Sequence, residues 1–315
     1  MINPTPTIGD RRSRSPIVVL DTRPPTALAR LRALVAVVVA AIAAGCVTIT
    51  AEPRAVLQRS DGTVEVQTLA CGPSVSIAAS NLDTTSVGGL DPARVRILTW
   101  NIHKQDDRGW QHDLRSFATD SDVLLLQETV LDSDLQQMIA DAGMRWVMAS
   151  SFIYANIDTG VLTASRVAPL ASCTQRIVEP LLRLPKSAVI SWFPLRGEAA
   201  TLAVVNVHAI NFSLSLGAYR AQFDAIADAL AHHTGPIVFA GDLNTWTTER
   251  IAVVDAAARR LGCTEIAFTD DRRRLFFGHQ LDHIYTRGLD VVASSAIVVT
   301  SSDHNPVMAT LRYTR

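Results

Sequence analysis

Lysine is almost missing from this chain: only Lys104 and Lys186 are lysines among its 29 basic residues, and 27 are arginines. The formal net charge of −1 leaves no basic surplus of the kind that marks a non-specific nucleic-acid binder. Cysteine is equally sparse. Cys46, Cys71, Cys173 and Cys263 stand far apart, and no C-x-x-C spacing occurs, which argues against a structural zinc site. There is no internal repeat and no low-complexity tract. Long apolar runs are missing as well; the longest, "ALVAVVVAAIAAGC" (Ala33–Cys46), is short and alanine-rich for a membrane span. What remains is an ordinary globular balance, 48% hydrophobic and 19% charged over 315 residues, which excludes wholesale disorder.

The N-terminus reads as a targeting segment. Residues 1–45 hold six Arg and two Asp, so the remainder keeps 23 basic and 28 acidic residues and is mildly acidic. A basic stretch ending "ARLR" precedes the apolar run, and small residues follow it, as in a secretory signal. "AAGC" (Ala43–Cys46) resembles a bacterial lipobox, with Ala where Leu is usual, and would lipidate Cys46. Lipoprotein, cleaved signal peptide and uncleaved anchor stay open. Each implies export to the periplasmic or cell-envelope side, and the lipoprotein and the uncleaved anchor make the membrane a partner through the N-terminal segment. An exported chain can form disulfides; four cysteines allow two bridges, three allow one, and the sequence does not choose the pairing.

Three regions are expected: a signal or anchor segment over 1–46, a stem over 47–92 rich in breakers ("SDG", "CGPS", "SVGGLDP"), and a catalytic domain over 93–315. From Arg94 onward short apolar runs alternate with helical patterns. "RVRILTWNI", "SDVLLLQET", "TGVLTAS", "KSAVISWFPL", "ATLAVVNVHAI", "GPIVFAGDLN", "LDHIYTRG" and "LDVVASSAIVVT" read as strands. Helices are expected over 132–143 and 247–262, each opened by a capping residue and closed by Gly, and over 214–233, with Ala218, Ala221, Phe223, Ile226, Ala229 and Leu230 near one face. About ten strands and four or five helices over about 220 residues fit one α/β or α+β domain with two sheets.

Polar residues collect at the ends of these strands. Asn101, Glu128, Asn206, His208, Asp242, Asn244, Asp282, Asp303 and His304 each end, interrupt or follow an apolar run. Strand ends at one edge of an α/β layer converge, so residues distant in sequence can share one site. Singly, each has a plain structural explanation: a strand cap, a solvated turn, a satisfied core histidine. Six separate strands delivering such groups are hard to attribute to chance.

In this order, "TWN", "LLLQE", "NVHA", "GDLN", "LDHI" and "SSDHNP" resemble the motif set of the endonuclease/exonuclease/phosphatase superfamily, the deoxyribonuclease I-like fold, over residues 94–315. The resemblance implies a four-layer sandwich: two face-to-face mixed β-sheets flanked by helices. It also implies that Asp282 orients His304, and that His208 meets the phosphate from the other side.

The chemistry can be argued separately. Hydrolysing an anionic phosphodiester requires charge neutralisation, an aimed water and a stabilised leaving oxygen. Mg²⁺ (or Mn²⁺) suits the first task and needs few carboxylates. Glu128 is the leading ligand with Asn101 beside it, and Asp303 is a further or water-bridged ligand. Asp242 would take the water's proton while Asn244 orients the water or the phosphate; if "GDLN" stays extended, the two side chains point the same way. Lys186 and Arg220 are candidate phosphate contacts, with Lys104 also beside a motif. His283 is expected to be structural. "DDRRRLFFGHQLDH" (Asp270–His283) is a basic-aromatic loop that could grip an anion.

These readings converge on a divalent-metal phosphoesterase acting on phosphodiesters, nuclease-like first. A phospholipid or sphingomyelin phosphodiesterase, or another phosphatase of the same fold, is the alternative, so the substrate partner is a nucleic acid or a phospholipid headgroup. A non-catalytic, membrane-tethered binding lipoprotein is the reading from another class. The intact set of Glu128, Asp242, Asn244, Asp282 and His304 argues against it.

Overall fold

In the computed structural model the described residues are 47–72, 88–213 and 215–315. The expected signal segment, with Cys46, lies outside them. In chain order the elements are β1 (Val47–Thr48), β2 (Arg54–Gln58), β3 (Val64–Gln67), β4 (Val95–Asn101), α1 (Trp110–Asp120), β5 (Val123–Val130), α2 (Ser133–Asp141), β6 (Arg145–Tyr154), β7 (Ile157–Ser165), β8 (Ala171–Val178), β9 (Pro185–Pro194) and β10 (Thr201–His208). There follow α3 (Gly217–Ala229), β11 (Ile237–Asp242), α4 (Thr248–Arg260), β12 (Thr264–Glu265), β13 (Leu275–Phe276), β14 (His279–Gln280), β15 (Asp282–Arg287), β16 (Leu289–Ala296) and β17 (Val307–Tyr313).

Two mixed sheets carry the domain. The first runs β16-β17-β4-β5-β7-β6-β2-β3, with β1 on β6, and the second runs β12-β15-β11-β10-β9-β8. In the first, β4 and β5 are parallel and the other pairs antiparallel; in the second, β10 and β11 are the parallel pair. Strand alternation builds the layers. Ile97, Val123 and Leu125 of the first sheet pack with Val204, Val238 and Ile284 of the second in one buried core between them. Their neighbours Leu98, Trp100, Leu124 and Leu126 face outward against Leu114 and Phe117 of α1 and Leu135 of α2. On the far side, Val205, Val207 and Phe239 meet Phe223 and Ile226 of α3 and Val253 and Val254 of α4. The order is helix, sheet, sheet, helix, the four-layer sandwich expected.

Helix ends follow local chemistry. Asp132 caps α2 by accepting from the Leu135 amide, and Thr247 caps α4 by accepting from Arg250. On α3 the buried face differs from expectation: Tyr219 and Gln222 point inward and Ala221 is exposed. Gln222 is satisfied there, because its Oε1 accepts from Ile210 N at 2.9 Å and its Nε2 donates to the His208 carbonyl at 3.1 Å.

Part of the expected stem is built into the sandwich. β2 pairs with β6 and with β3, so this hairpin widens the first sheet. Just beyond it, Cys71 is bridged to Cys173 on β8, while Cys263 is free and buried. Among the described residues no helix is long and apolar enough to cross a membrane.

Candidate active site

Strand register assembles the site. In the second sheet His208 lies opposite Asp242, and Asp242 lies opposite Asp282, so three chemical residues form one row across β10, β11 and β15. Gly241 makes this row possible: its φ is +140°, and a Cβ there would fall 2.0 Å from the Val207 carbonyl oxygen. In the first sheet Asn101 lies opposite Gln127, next to Glu128. Register shifts between Leu126 and Thr129, and Glu128 takes φ +51° in that irregularity. A bulge of this kind re-aims one side chain; here it sends Glu128 toward the second sheet, where its Oε1 lies 3.7 Å from His208 Nε2.

The two sheets meet at Asp242. Its Oδ2 accepts from Asn101 Nδ2 at 3.0 Å and lies 3.5 Å from His208 Nε2 and 4.0 Å from His304 Nε2. Its Oδ1 accepts from the Asn244 amide at 3.1 Å. Asn244 has φ +50°, so "GDLN" turns rather than staying extended, and the expected parallel aim of Asp242 and Asn244 does not arise. Instead Asn244 Nδ2 donates to the Ala209 carbonyl at 3.0 Å, fixing the end of β10.

His304 donates from Nδ1 to Asp282 Oδ2 at 2.7 Å. Ser302 of "SSDHNP" holds it in place: its Oγ accepts from the His304 amide and donates to the Asn101 carbonyl. Trp100 Nε1 donates to the His304 carbonyl at 3.2 Å. Burial alone would lower the His304 pKa, but the Asp282 and Asp242 carboxylates outweigh it and raise it to about 10. His208 moves the other way: burial and the Lys186 ammonium push it down to about 4. Its Nε2 accepts from Lys186 Nζ at 2.7 Å. Glu128 is held well below the usual carboxylate range; burial opposes this, and Lys104 above all overcomes it.

Two expected residues are not brought to this cluster. Asp303 is 60% exposed, and His103 Nε2 lies 3.9 Å from its carboxylate; the turn that buries His304 points the preceding side chain outward. Arg220 is exposed on α3, which covers the outer face of the second sheet. His283 is buried between Thr245 and Glu265, as a structural residue would be.

Two residues of the site, Arg250 and Glu179, were not expected, and Gln127 and Asn206, noted only as polar strand residues, have a structural part. Arg250, 2% exposed, donates to the carbonyls of Ile210, Asn211 and Asn244 and stacks on Tyr219 and Trp246. It ties the loop after His208 to the loop after Asp242. The buried Glu179 accepts from the Asn211 and Phe212 amides of the same loop. Gln127 Nε2 donates to Asn206 Oδ1 at 2.6 Å, bridging the sheets beneath the site. The only sequence signal for these was a polar residue inside or beside an apolar run. Beside the site, the β13–β14 hairpin exposes Leu275, Phe276 and Phe277, with Phe277 against Trp246.

A hard divalent cation fits this donor set. The groups are carboxylate and amide oxygens, and Asp282 Oδ1 is buried with no hydrogen-bond partner. Asp242, Asp282 and His304 also place one atom each within 4.8 Å of one another, but His304 is engaged as the cationic partner of Asp282, which leaves Glu128, with Asn101 beside it, to hold the ion.

The model of the Endonuclease/Exonuclease/phosphatase family matches residues 98–304, which include every residue of this cluster. The chain belongs to that family. It is 39% identical over 215 residues to a UPF0294 protein of Klebsiella pneumoniae, covering 68% of this chain and 81% of that one. Its fold is similar to the human Nocturnin catalytic domain with bound sulfate (TM-score 0.55, 18% identity, 72% of this chain and 97% of that chain). It is also similar to a mannosyl-6-phosphatase of Bacteroides thetaiotaomicron (TM-score 0.54, 14% identity, 70% and 100%). Members of this superfamily hydrolyse phosphate esters.

Proposed function

We propose that this protein is a divalent-metal-dependent phosphoesterase acting at the Glu128–His208–Asp242–Asp282–His304 cluster. The observation that carries the reading is the convergence on Asp242 of the second sheet: Asn101 and His304, from a strand and a loop of the first sheet, and His208 from the second all lie within 4.0 Å of its Oδ2. Glu128 and Asn101 would hold Mg²⁺ or Mn²⁺, which supplies charge neutralisation at the phosphate. Asp242, oriented by Asn101 and by the Asn244 amide, takes the proton of the attacking water. His304, kept cationic by Asp282, stabilises the phosphate oxygens. The Lys186–His208 pair shares a proton on the opposite side and serves the leaving oxygen.

A phosphodiester is the first substrate class, in a nuclease-like reaction. The exposed apolar hairpin at Leu275–Phe277 favours a second reading, a phospholipid or sphingomyelin headgroup. Export with N-terminal anchoring belongs to the same proposal; a disulfide suits an oxidising compartment. Mass spectrometry of the mature N-terminus tests it, and a diacylated Cys46 would identify the lipoprotein.

The activity test is a panel of plasmid DNA, RNA, sphingomyelin, phosphatidylcholine and aryl phosphate esters with Mg²⁺ or Mn²⁺. It is run beside the metal-dependent rise in melting temperature of wild type and Glu128→Gln. Turnover lost in Glu128→Gln and His304→Ala supports the reading. No turnover on any ester, together with no metal-dependent shift, overturns it.

A further inference from the structure

The two lysines of the chain converge on the same site. Lys104 donates to Glu128 from the turn after β4, and Lys186 donates to His208 from β9 in the other sheet. Structural cation work elsewhere falls to arginine: Arg250 and Arg287 fork onto backbone carbonyls, and Arg54, Arg96 and Arg273 onto carboxylates. A guanidinium is a rigid fork, whereas an ammonium is a compact charge on a flexible stem that can move between partners.

The backbone is strained to deliver one of them. His103, Lys104 and Gln105 all have positive φ, at 46°, 56° and 63°, a backbone conformation that is unfavourable for residues other than glycine. The turn is held by its neighbours. The Gln105 side-chain amide pairs with both the N–H and the carbonyl of Val130, and Asn101 Oδ1 accepts from the His103 amide. Its product is an ammonium half exposed at the mouth of the cluster, on Glu128.

Charge decides what this arrangement suits. The Asp282–His304 ion pair adds nothing net. Glu128 and Asp242 carry two negative charges, which the two ammonium groups balance. A divalent ion on Glu128 then leaves these groups with a surplus of two positive charges facing the substrate; Asp106 and Asp303 also act on Lys104, but both are exposed and screened by solvent. An internal phosphodiester brings one negative charge, and a terminal phosphate near neutral pH brings close to two.

We propose that Lys104 and Lys186 form a two-ammonium clamp that makes this site prefer a terminal, dianionic phosphate group over an internal phosphodiester. The proposal rests on the phosphoesterase reading for its chemistry but reverses its order of substrates, putting phosphate monoesters or chain ends ahead of internal phosphodiesters. Lys104 leaves Glu128 for the phosphate when the ion is bound, and Lys186 stays against His208.

The test needs no turnover in its first arm. The protein with Mg²⁺ is acylated with an N-hydroxysuccinimide ester, and mass spectrometry reads the rate at each lysine. Inorganic phosphate is expected to slow labelling of both by about tenfold more than dimethyl phosphate does. Equal protection by the two anions, or protection of neither lysine, overturns the clamp. In the second arm, Lys104→Gln and Lys186→Gln are each expected to lower the monoester-to-diester ratio of kcat/KM by about tenfold on aryl phosphates, with partial recovery in the corresponding Arg variants. An unchanged ratio overturns it. Hydrolysis of neither ester would remove the phosphoesterase reading, and the labelling arm would still decide the clamp. A glutamine variant that fails to fold leaves the same decision to labelling of the wild-type protein.

Discussion

His304 Nδ1 donates to Asp282 Oδ2 at 2.7 Å across 22 residues of sequence, with both side chains almost fully buried. The pair fixes the orientation of the imidazolium ring and leaves Nε2 facing Asp242. Asp282→Asn keeps the shape but removes the charge that sustains the cation. Turnover is expected to fall roughly 100-fold or more while substrate KM changes little. A loss confined to KM would show that the pair only binds substrate.

The same pair sets a pH dependence of stability. His304 titrates near 10 in the folded chain against an ordinary value of 6.5, because the Asp282 and Asp242 carboxylates overcome its burial; Asp303 adds to the same direction. A raised pKa means the folded state holds the proton more tightly. The stabilisation is therefore complete below about pH 6.5 and is lost as pH rises toward about 10. Urea unfolding in chelator across this window should show wild type losing stability, with His304→Gln much flatter. Parallel curves would refute the assignment.

Much of this site was legible in the sequence because its residues sit at the ends of strands that announce themselves. "GDLN" and "SSDHNP" combine an apolar run, a turn and a titratable group. What escaped has physical reasons. Strand β6 shows no alternation because Trp146 to Ser151 are all buried. Helix α1 starts at Gly109 without a side-chain cap, so no start signal marks it. Asp303 adjoins a buried histidine, yet the turn faces it outward. Arg250 reads as one more polar residue on an amphipathic helix; only the packing of Tyr219 and Trp246 around it reveals its place.

Arg250 should therefore be among the costliest single replacements outside the cluster. Arg250→Met leaves the carbonyls of Ile210, Asn211 and Asn244 without their donor. The expected loss is about 3–5 kcal/mol in denaturant unfolding. Arg250→Lys should recover little, since one ammonium cannot reproduce the fork. A variant within 1 kcal/mol of wild type would show that water replaces the guanidinium.

The inter-sheet bridge makes a sharper test, because its two partners can be removed separately. Gln127 Nε2 donates to Asn206 Oδ1 at 2.6 Å, and Asn206 Nδ2 donates to the Leu162 carbonyl at 2.9 Å, all buried. Gln127→Leu strands the Asn206 oxygen and should cost about 1–3 kcal/mol. Pairing it with Asn206→Leu removes both polar groups, so the double variant should lose less than the two singles added together. Additive losses would mean the two residues act independently.

The Cys71–Cys173 bridge closes a loop with a sequence separation of 102 and anchors the end of the N-terminal hairpin to β8. Constraining so long a loop in the unfolded chain is worth up to about 4–5 kcal/mol on the chain-entropy account. Reduction, or the pair Cys71→Ser and Cys173→Ser, should lower stability by about 2–5 kcal/mol. The effect should arise from the bridge and not from Cys263, whose buried thiol is pushed up to about 12. A thiolate-directed reagent added to the native oxidised protein should therefore leave Cys263 unmodified and stability unchanged. Unfolding under denaturant should expose it. Rapid native labelling of Cys263, or no stability change on reduction, would contradict this assignment of roles.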